Sequence, residues 1–330
     1  MRFRGGIGRA TLGISISVVA LALVFRSVDL GAALEVLKGA DPRWIALMVA
    51  FLSADVLLRA IRWRGLLAPV GVVPLRDTLA SLLVGYLANN VLPARLGEIV
   101  RSHDLGGRTG ISRSTILGTI VVERVVDTLV VVVIAAVAIL VLSVRGIVAS
   151  AVLVGVAITG LLVVAIAVGI LAHRLPGAEK VTAVLARRPR IHGALVRLRV
   201  GLAIAGHVRT MAAAVVLTVL AWSCTVLAFA AAAQAVAVEP TMGQAALLAA
   251  GTALSTAIPA GPGYVGTFEL AAVTIAASVG IPRESALAIA VLVHVTTLLL
   301  TSAGGALALV AGGRRRRVVP IPEGVPEVDG

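Results

Sequence analysis

LSTAIPAGPGYVGTFE, residues 254–269, sits where an apolar helix ought to continue. Pro259, Gly261, Pro262, Gly263 and Gly266 interrupt it, and long apolar runs flank it on both sides. Proline removes an N–H and clashes with the preceding turn, while glycine makes positive φ cheap, so no straight helix passes through. Backbone freed within lipid has to find partners in protein or in a water-filled cavity. The break is therefore costly and marks a candidate site. A weaker echo stands at residues 89–98, NNVLPARLGE. With Pro93 laid on Pro259, Ala94 falls on Ala260 and Gly97 on Gly263, while Asn89 and Asn90 fall on Ser255 and Thr256. Two interrupted apolar segments in corresponding places of two halves are the best sequence pointer to a transporter's binding site, the plain alternative being two loops.

The surrounding composition says what solvent these breaks face. Of 330 residues, 59% are hydrophobic and 14% charged, with a mean hydropathy of +1.06, which is no soluble globular composition. Repeated apolar runs near twenty residues match the ~30 Å hydrocarbon core, so single-pass and peripheral readings fail. The net charge of +13 does not point to nucleic acid. Its arginines lie in short segments between apolar runs, as the positive-inside rule requires, and three Trp, two Tyr and five Phe leave little for base stacking. Cys224 forms no internal disulfide, and neither a cysteine metal site nor any cofactor is implied.

Charge then orders the segments. Arg2, Arg4 and Arg9 precede the apolar run 10–25, which reads as an uncleaved signal anchor with a cytoplasmic N-terminus. Leu30, Leu34 and Leu37 share one face of a short interfacial helix within 26–43. Residues 44–63 form the second span, with Trp44 and Trp63 about 28 Å apart along a helix, a spacing that suits opposite interfacial belts. Arg59, Arg62 and Arg64 read as snorkelling anchors at its cytoplasmic end, in preference to a headgroup-binding role. The segment that follows, from Arg76 into the first break, ends among Arg95, Glu98, Arg101, His103, Asp104, Arg108 and Arg113. Starting and ending beside cytoplasmic arginines, it is a re-entrant hairpin. Spans over 114–143 and 147–171 lead to a loop, 173–209, with eight Lys or Arg against one acid, Glu179. A span over 211–238 goes outward, and the last, 285–310, must end inside because Arg314 to Arg317 follow it. The second interrupted stretch, 243–278, then begins and ends outside. The expected fold is an all-α polytopic membrane protein of about eight membrane segments: six spanning helices and two oppositely oriented re-entrant hairpins, arranged as an inverted repeat. Residues 1–313 form the membrane domain, and 314–330 a basic, then Pro/Glu-rich, disordered cytoplasmic tail.

In each hairpin the second half-helix starts at membrane depth, where free N–H groups and the helix dipole attract anions. Arg95 stands beside the first such end and can fork onto a phosphate bidentately. Asn89, Asn90, Ser255, Thr256 and Tyr264 either satisfy freed backbone or bind a headgroup, with capping preferred for Ser255 and Thr256. Glu98 and Arg101, one turn apart, are a self-neutralising pair or part of the site, and Glu269 lies in the first turn of its half-helix. The candidate lipid-headgroup site is thus Asn89, Asn90, Arg95, Glu98, Arg101, Gly261, Gly263, Tyr264 and Glu269. Glu123, Arg124 and Asp127 form a second polar cluster, structural and functional readings being evenly weighted. His294 reads as packed in the core, without a metal partner. Paired-His zinc motifs, a nucleophile elbow, a P-loop and an aspartate-rich diphosphate cluster are all missing from the sequence, so an enzyme is not expected.

Four motifs in order, RAIRWRGLL (59–67), NNVLPARLGEIVR (89–101), ERVVD (123–127) and IPAGPGYVGTFE (258–269), resemble the transmembrane, flippase-like domain of the lysylphosphatidylglycerol synthase family. The resemblance covers nearly the whole chain. It implies movement of an aminoacylated phospholipid from the inner to the outer leaflet in bifunctional members, where a separate domain makes that lipid. With 330 residues the chain leaves no room for such a transferase, so the cargo stays open between a phospholipid and a polyprenyl-phosphate lipid. The expectation is a multi-pass translocator of the cell (inner or plasma) membrane, both termini cytoplasmic, whose partners are membrane lipids and, in envelope pathways, a biosynthetic enzyme. Two alternatives stand beside it: an ion-coupled carrier of a small anion, and a non-transporting subunit of an envelope glycosyltransferase pathway docked through the 173–209 loop.

Overall fold

The computed structural model describes residues 4–92, 96–151, 153–155, 157, 161, 202–258 and 260–312. Pro93 and Arg95 of the first break, Pro259 of the second, most of the 147–171 span, the loop as far as 201 and the 314–330 tail lie outside these residues.

The described residues form helices joined by turns and short loops, without a strand. In chain order they form α1 (Arg4–Ser27), α2 (Leu30–Lys38), α3 (Pro42–Leu67), α4 (Leu75–Val91), α5 (Gly97–Thr109), α6 (Arg113–Leu142), α7 (Val208–Ala235), α8 (Met242–Ser255), α9 (Thr267–Ser278) and α10 (Arg283–Gly312). α3, α6, α7 and α10 are each long and apolar enough to cross a membrane, and α1 with α2, bent by 85°, makes a fifth candidate span. Both expected breaks are present, between α4 and α5 and between α8 and α9, where a single turn of 3-10 helix, Pro262–Tyr264, fills the gap.

Local chemistry sets these limits. Asp41 caps α3 by accepting from Arg43 N–H, with Pro42 at the first helical position, and Ser112 caps α6 from Thr115 N–H. Thr241 and Gln244 form a reciprocal capping box at the start of α8. Large apolar side chains on the outer faces stay exposed, among them Val133, Val137 and Leu140 of α6 and Leu299, Leu307 and Val310 of α10. Facing lipid, such residues need no protein partner.

α3 and α7 form the central pair, and their contacts fix an antiparallel register. Asp41 N–H donates to Ala235 O, Thr225 reaches Asp55, Arg59 lies over Trp222, and Arg62 donates to Thr218. Each step forward on α3 is a step backward on α7. Alanines 228, 231, 232 and 233 of α7 and 245, 249 and 250 of α8 are fully buried, and small residues let helix backbones approach closely where lipid removes the hydrophobic drive for association. α4 packs against α5 and α10, α8 against α6 and α9, and α9 against α10 and α1.

Candidate functional site

Two polar constellations lie inside the bundle. The first begins on α3, where Asp55, Arg59 and Arg62 follow each other at four- and three-residue spacing and so share a face. α6 supplies Glu123 and Asp127, again four apart, with Arg124 between them, and α5 supplies Arg101 as the chain returns from the first break. Arg101 grips Glu123 bidentately at 3.0 and 2.7 Å. Arg62 spans both acids, 3.1 Å to Glu123 and 2.6 Å to Asp127. Arg59 pairs with Asp55 at 2.8 Å and reaches Asp127 at 3.3 Å, and Arg124 bonds Glu123 at 2.7 Å and Asp127 at 3.2 Å.

Aromatic rings seal the cluster. Arg101's guanidinium sits 3.4 Å from the Trp63 ring centroid and Arg59's 5.0 Å from that of Trp222, where ring quadrupoles favour a cation. Trp63 donates its indole N–H to Thr119 and is fully buried. It is therefore core, not the interfacial belt expected from its spacing to Trp44. Arg59 and Arg62 likewise depart from the snorkelling expectation: they are buried at 8% and 1% exposure and ion-paired. The reason is nonlocal. The face of α3 that carries them meets α6 and α7, so their heads find carboxylates instead of water.

Among the described residues four arginines (59, 62, 101, 124) face three carboxylates (55, 123, 127), an excess of one positive charge. The Nε atoms of Arg62, Arg101 and Arg124 are buried and have no hydrogen-bond partner among the described residues. Buried donors normally find acceptors, so three orphaned guanidinium N–H groups call for an explanation. Arg124, with a side chain 42% exposed, is the cluster's outlet.

The second constellation is the 262–269 break itself. Glu269 accepts from Gly266 N–H at 2.6 Å, closing the end of α9, and its other oxygen meets His294 Nδ1 of α10 at 2.6 Å. His294 Nε2 in turn faces Gly263 O at 2.7 Å, and Phe268 stacks on the imidazole with centroids 4.3 Å apart. α1 holds the other side, Gly261 N–H donating to Ser17 Oγ. A Cβ on Gly266 would meet Ser17 O at 2.6 Å, so only glycine fits there, at φ +91°.

The predicted residues fall out as follows. Arg101 joins Glu123, Arg124 and Asp127, merging what the sequence separated into a break residue and a secondary cluster. Asn89 accepts from Gly97 N–H at 2.8 Å, satisfying a donor freed by the first break, and a Cβ at Gly97 would collide with Gly85 O. Asn90 donates to Thr301 and Ser302 of α10. Ser255 and Thr256 bond the carbonyls of Thr252 and Ala253, the capping role expected of them. Glu98 is half-buried and has no ion pair with Arg101, whose guanidinium is turned to Glu123. Gly261, Gly263 and Tyr264 line the turn, and Arg95 lies outside the described residues. The sequence reading passed over Asp55, Trp222, Thr218 and the role of His294. A signal for the first existed in the D-x-x-x-R-x-x-R spacing of 55–62. Among the described residues no group of three or more His, Cys, Asp or Glu is placed to hold a metal.

Known proteins resemble parts of this chain in sequence. Glycosyltransferase AglD of Haloferax volcanii is 30% identical over 135 residues, 41% of this chain, and a UPF0104 membrane protein of Methanothermobacter thermautotrophicus is 31% identical over 118 residues, 35% of this chain. The matches span only 22% and 35% of those two proteins' own lengths. The family model described as the lysylphosphatidylglycerol synthase TM region matches residues 10–305, which take in both breaks and the whole buried arginine cluster, and the chain belongs to that family.

Proposed function

We propose that this protein is a membrane translocator, not an enzyme, which passes a phosphate-bearing lipid headgroup between leaflets along the two breaks. The observation that carries the reading is the excess positive charge of the Arg59–Arg62–Arg101–Arg124 cluster together with its orphaned Nε donors. Burying a charge without a partner costs several kcal/mol, about 3–5 kcal/mol where one member of a buried pair is removed. A phosphodiester brings one negative charge and acceptor oxygens, the complement of what the cluster lacks, and planar guanidinium groups suit it. The headgroup enters at Arg124 and meets Arg101 behind it.

The two halves, α3 to α6 and α7 to α10, are read as an inverted repeat whose breaks are opposed hairpins. In support, several packing relations among the described residues of one half have a counterpart in the other: α3 with α4 and α7 with α8, α5 with α6 and α9 with α10, α4 with α10 and α8 with α6. The antiparallel α3–α7 pair lies on the axis that would relate them. The test is movement of labelled phospholipid and polyprenyl-phosphate between leaflets of vesicles holding the purified protein. Arg124→Gln removes a charge-assisted bond of ~1.5–3 kcal/mol and is expected to slow movement roughly tenfold or more. Folded protein that moves neither lipid sinks the reading.

A second reading has one observation of its own, the likeness of 41% of the chain to part of glycosyltransferase AglD. On it, the protein is a membrane subunit of an envelope glycosyltransferase pathway. Co-purification with such an enzyme that survives Arg124→Gln, in vesicles without lipid movement, favours it.

A further inference from the structure

His294 of α10 places each ring nitrogen against an oxygen, Nδ1 2.6 Å from Glu269 Oε1 and Nε2 2.7 Å from Gly263 O. A carbonyl only accepts, so Nε2 carries a proton. The 2.6 Å contact to Glu269 then needs a second proton, whether on Nδ1 or on the carboxyl. The pair thus holds one proton more than a carboxylate and a neutral imidazole together. From this count we propose that Glu269 and His294 form a proton-binding site that latches the second break, and that loss of its proton to water frees the Gly263 turn.

The logic of release follows from the same geometry. With one proton gone, the remaining one sits on Nδ1 or on Nε2. On Nε2, the bare Nδ1 lone pair faces a carboxylate. On Nδ1, the bare Nε2 lone pair faces the Gly263 carbonyl. The bond from Nδ1–H to the carboxylate is charge-assisted and the stronger of the two, so the Gly263 contact is the one that opens.

The turn is built to move when it does. Gly263 lies at φ +65° and Tyr264, which has a Cβ, at φ +59°, a region non-glycine residues seldom adopt unless neighbours hold them there. The same turn abuts the first break, since a Cβ on Gly263 would lie 3.7 Å from Asn90 O, and Asn90 is itself tied to α10 at Thr301 and Ser302. One helix therefore carries the contacts of both breaks, and opening the latch loosens the point where they meet.

The surroundings leave the proton to this pair. His294 and Glu269 are 6% and 8% exposed, and Phe268 covers the ring. Of the elements packed on α10, α9 brings Glu269, the 262–264 turn brings the Tyr264 phenol, and α2 brings Glu35 and Lys38, which pair with each other. α4 brings Arg76 and Asp77, paired in its first turn, and the Tyr86 phenol. α3 brings Asp55, Arg59 and Arg62, engaged in the arginine cluster, with Arg43 and Arg64 near its ends, and α7 brings Arg209 near its start and the Cys224 thiol.

The assignment stands without lipid movement, and its test does not read it. A nitroxide is placed on Val265→Cys, 43% exposed beside the turn, in the full chain with Cys224→Ser, in lipid nanodiscs. Its motion is followed from about pH 5 to 10, the span that brackets histidine titration. The wild-type pair gives a label that is held at low pH and loosens in one titration as pH rises. His294→Ala removes the latch and leaves the label loose at every pH. Glu269→Gln keeps an oxygen for Gly266 N–H and offers a permanent N–H to Nδ1, so the label stays held at every pH. A pH-independent label in the otherwise native chain, or a Glu269→Gln chain that titrates like it, overturns the proposal. Elution of each variant as the same folded species separates these outcomes from unfolding.

Discussion

Glu123 shows what a single residue does in this interior. It receives Arg101 bidentately and Arg62 and Arg124 at one oxygen, so three cations depend on one fully buried carboxylate. Glu123→Gln raises the cluster's excess from one positive charge to two, and a charge stripped of its buried partner costs about 3–5 kcal/mol. Arg101→Met alone lowers the excess to zero but leaves a carboxylate with fewer donors. Combining the two returns the excess to one. The double variant is therefore expected to be more stable than the sum of the singles, by a coupling of about 0.5–3 kcal/mol. Unfolding in mixed micelles measures all four corners. Strict additivity would mean that the pairing of Arg101 with Glu123 carries no energetic weight, and would remove the basis for a cluster that acts as a unit.

At the scale of elements, α10 is the strut to which both breaks are fastened. It meets the second through His294 and the first through Thr301 and Ser302, seven and eight residues on, or about 10–12 Å along the helix. One turn further, a Cβ on Gly305 would lie 2.6 Å from Leu83 O and from Leu87 Cβ of α4, whereas at Gly304 it would meet only the tip of the Leu83 side chain, at 3.0 Å. Backbone cannot step aside as a leucine methyl can. Gly305→Ala should lower stability by about 1–3 kcal/mol through overpacking. Gly304→Ala should be close to neutral, its small clash offset by the ~0.5–1 kcal/mol helical advantage of alanine over glycine. Thermal unfolding in detergent distinguishes the pair, and equal midpoints would show that α4 and α10 are not in the close contact described. The breaks themselves were legible from Pro259, Pro262 and their glycines, because proline and glycine act on their own backbone. What fastens them was not. A lone histidine in an apolar run gives no sign of which helix it will meet, and Arg59 and Arg62 look like end anchors until α6 is placed beside them.

For the whole molecule, the same division holds: span positions follow from local hydropathy, but relations between halves depend on packing. Antiparallel α3 and α7 put the end of α3 and the end of α7 at opposite ends of the bundle, as the contact of Asp41 with Ala235 requires. The proposed direction rests on charge along the sequence, since Arg59, Arg62 and Arg64 sit toward one end of α3 and residues 236–241 after α7 hold Glu239 and no base of their own. With the orientation proposed from charge, Val72, fully exposed after α3, would face the cytoplasm and Glu239 would face outward. With Cys224→Ser as background, a membrane-impermeant maleimide added to intact cells should label Glu239→Cys and spare Val72→Cys until the membrane is opened. The reverse pattern would invert the protein and place the Arg124 outlet on the outer side, so that the proposed cargo would enter from the other leaflet. Labelling of both from one side would be worse for the reading, because no antiparallel α3–α7 pair spanning the membrane can present both turns to the same compartment.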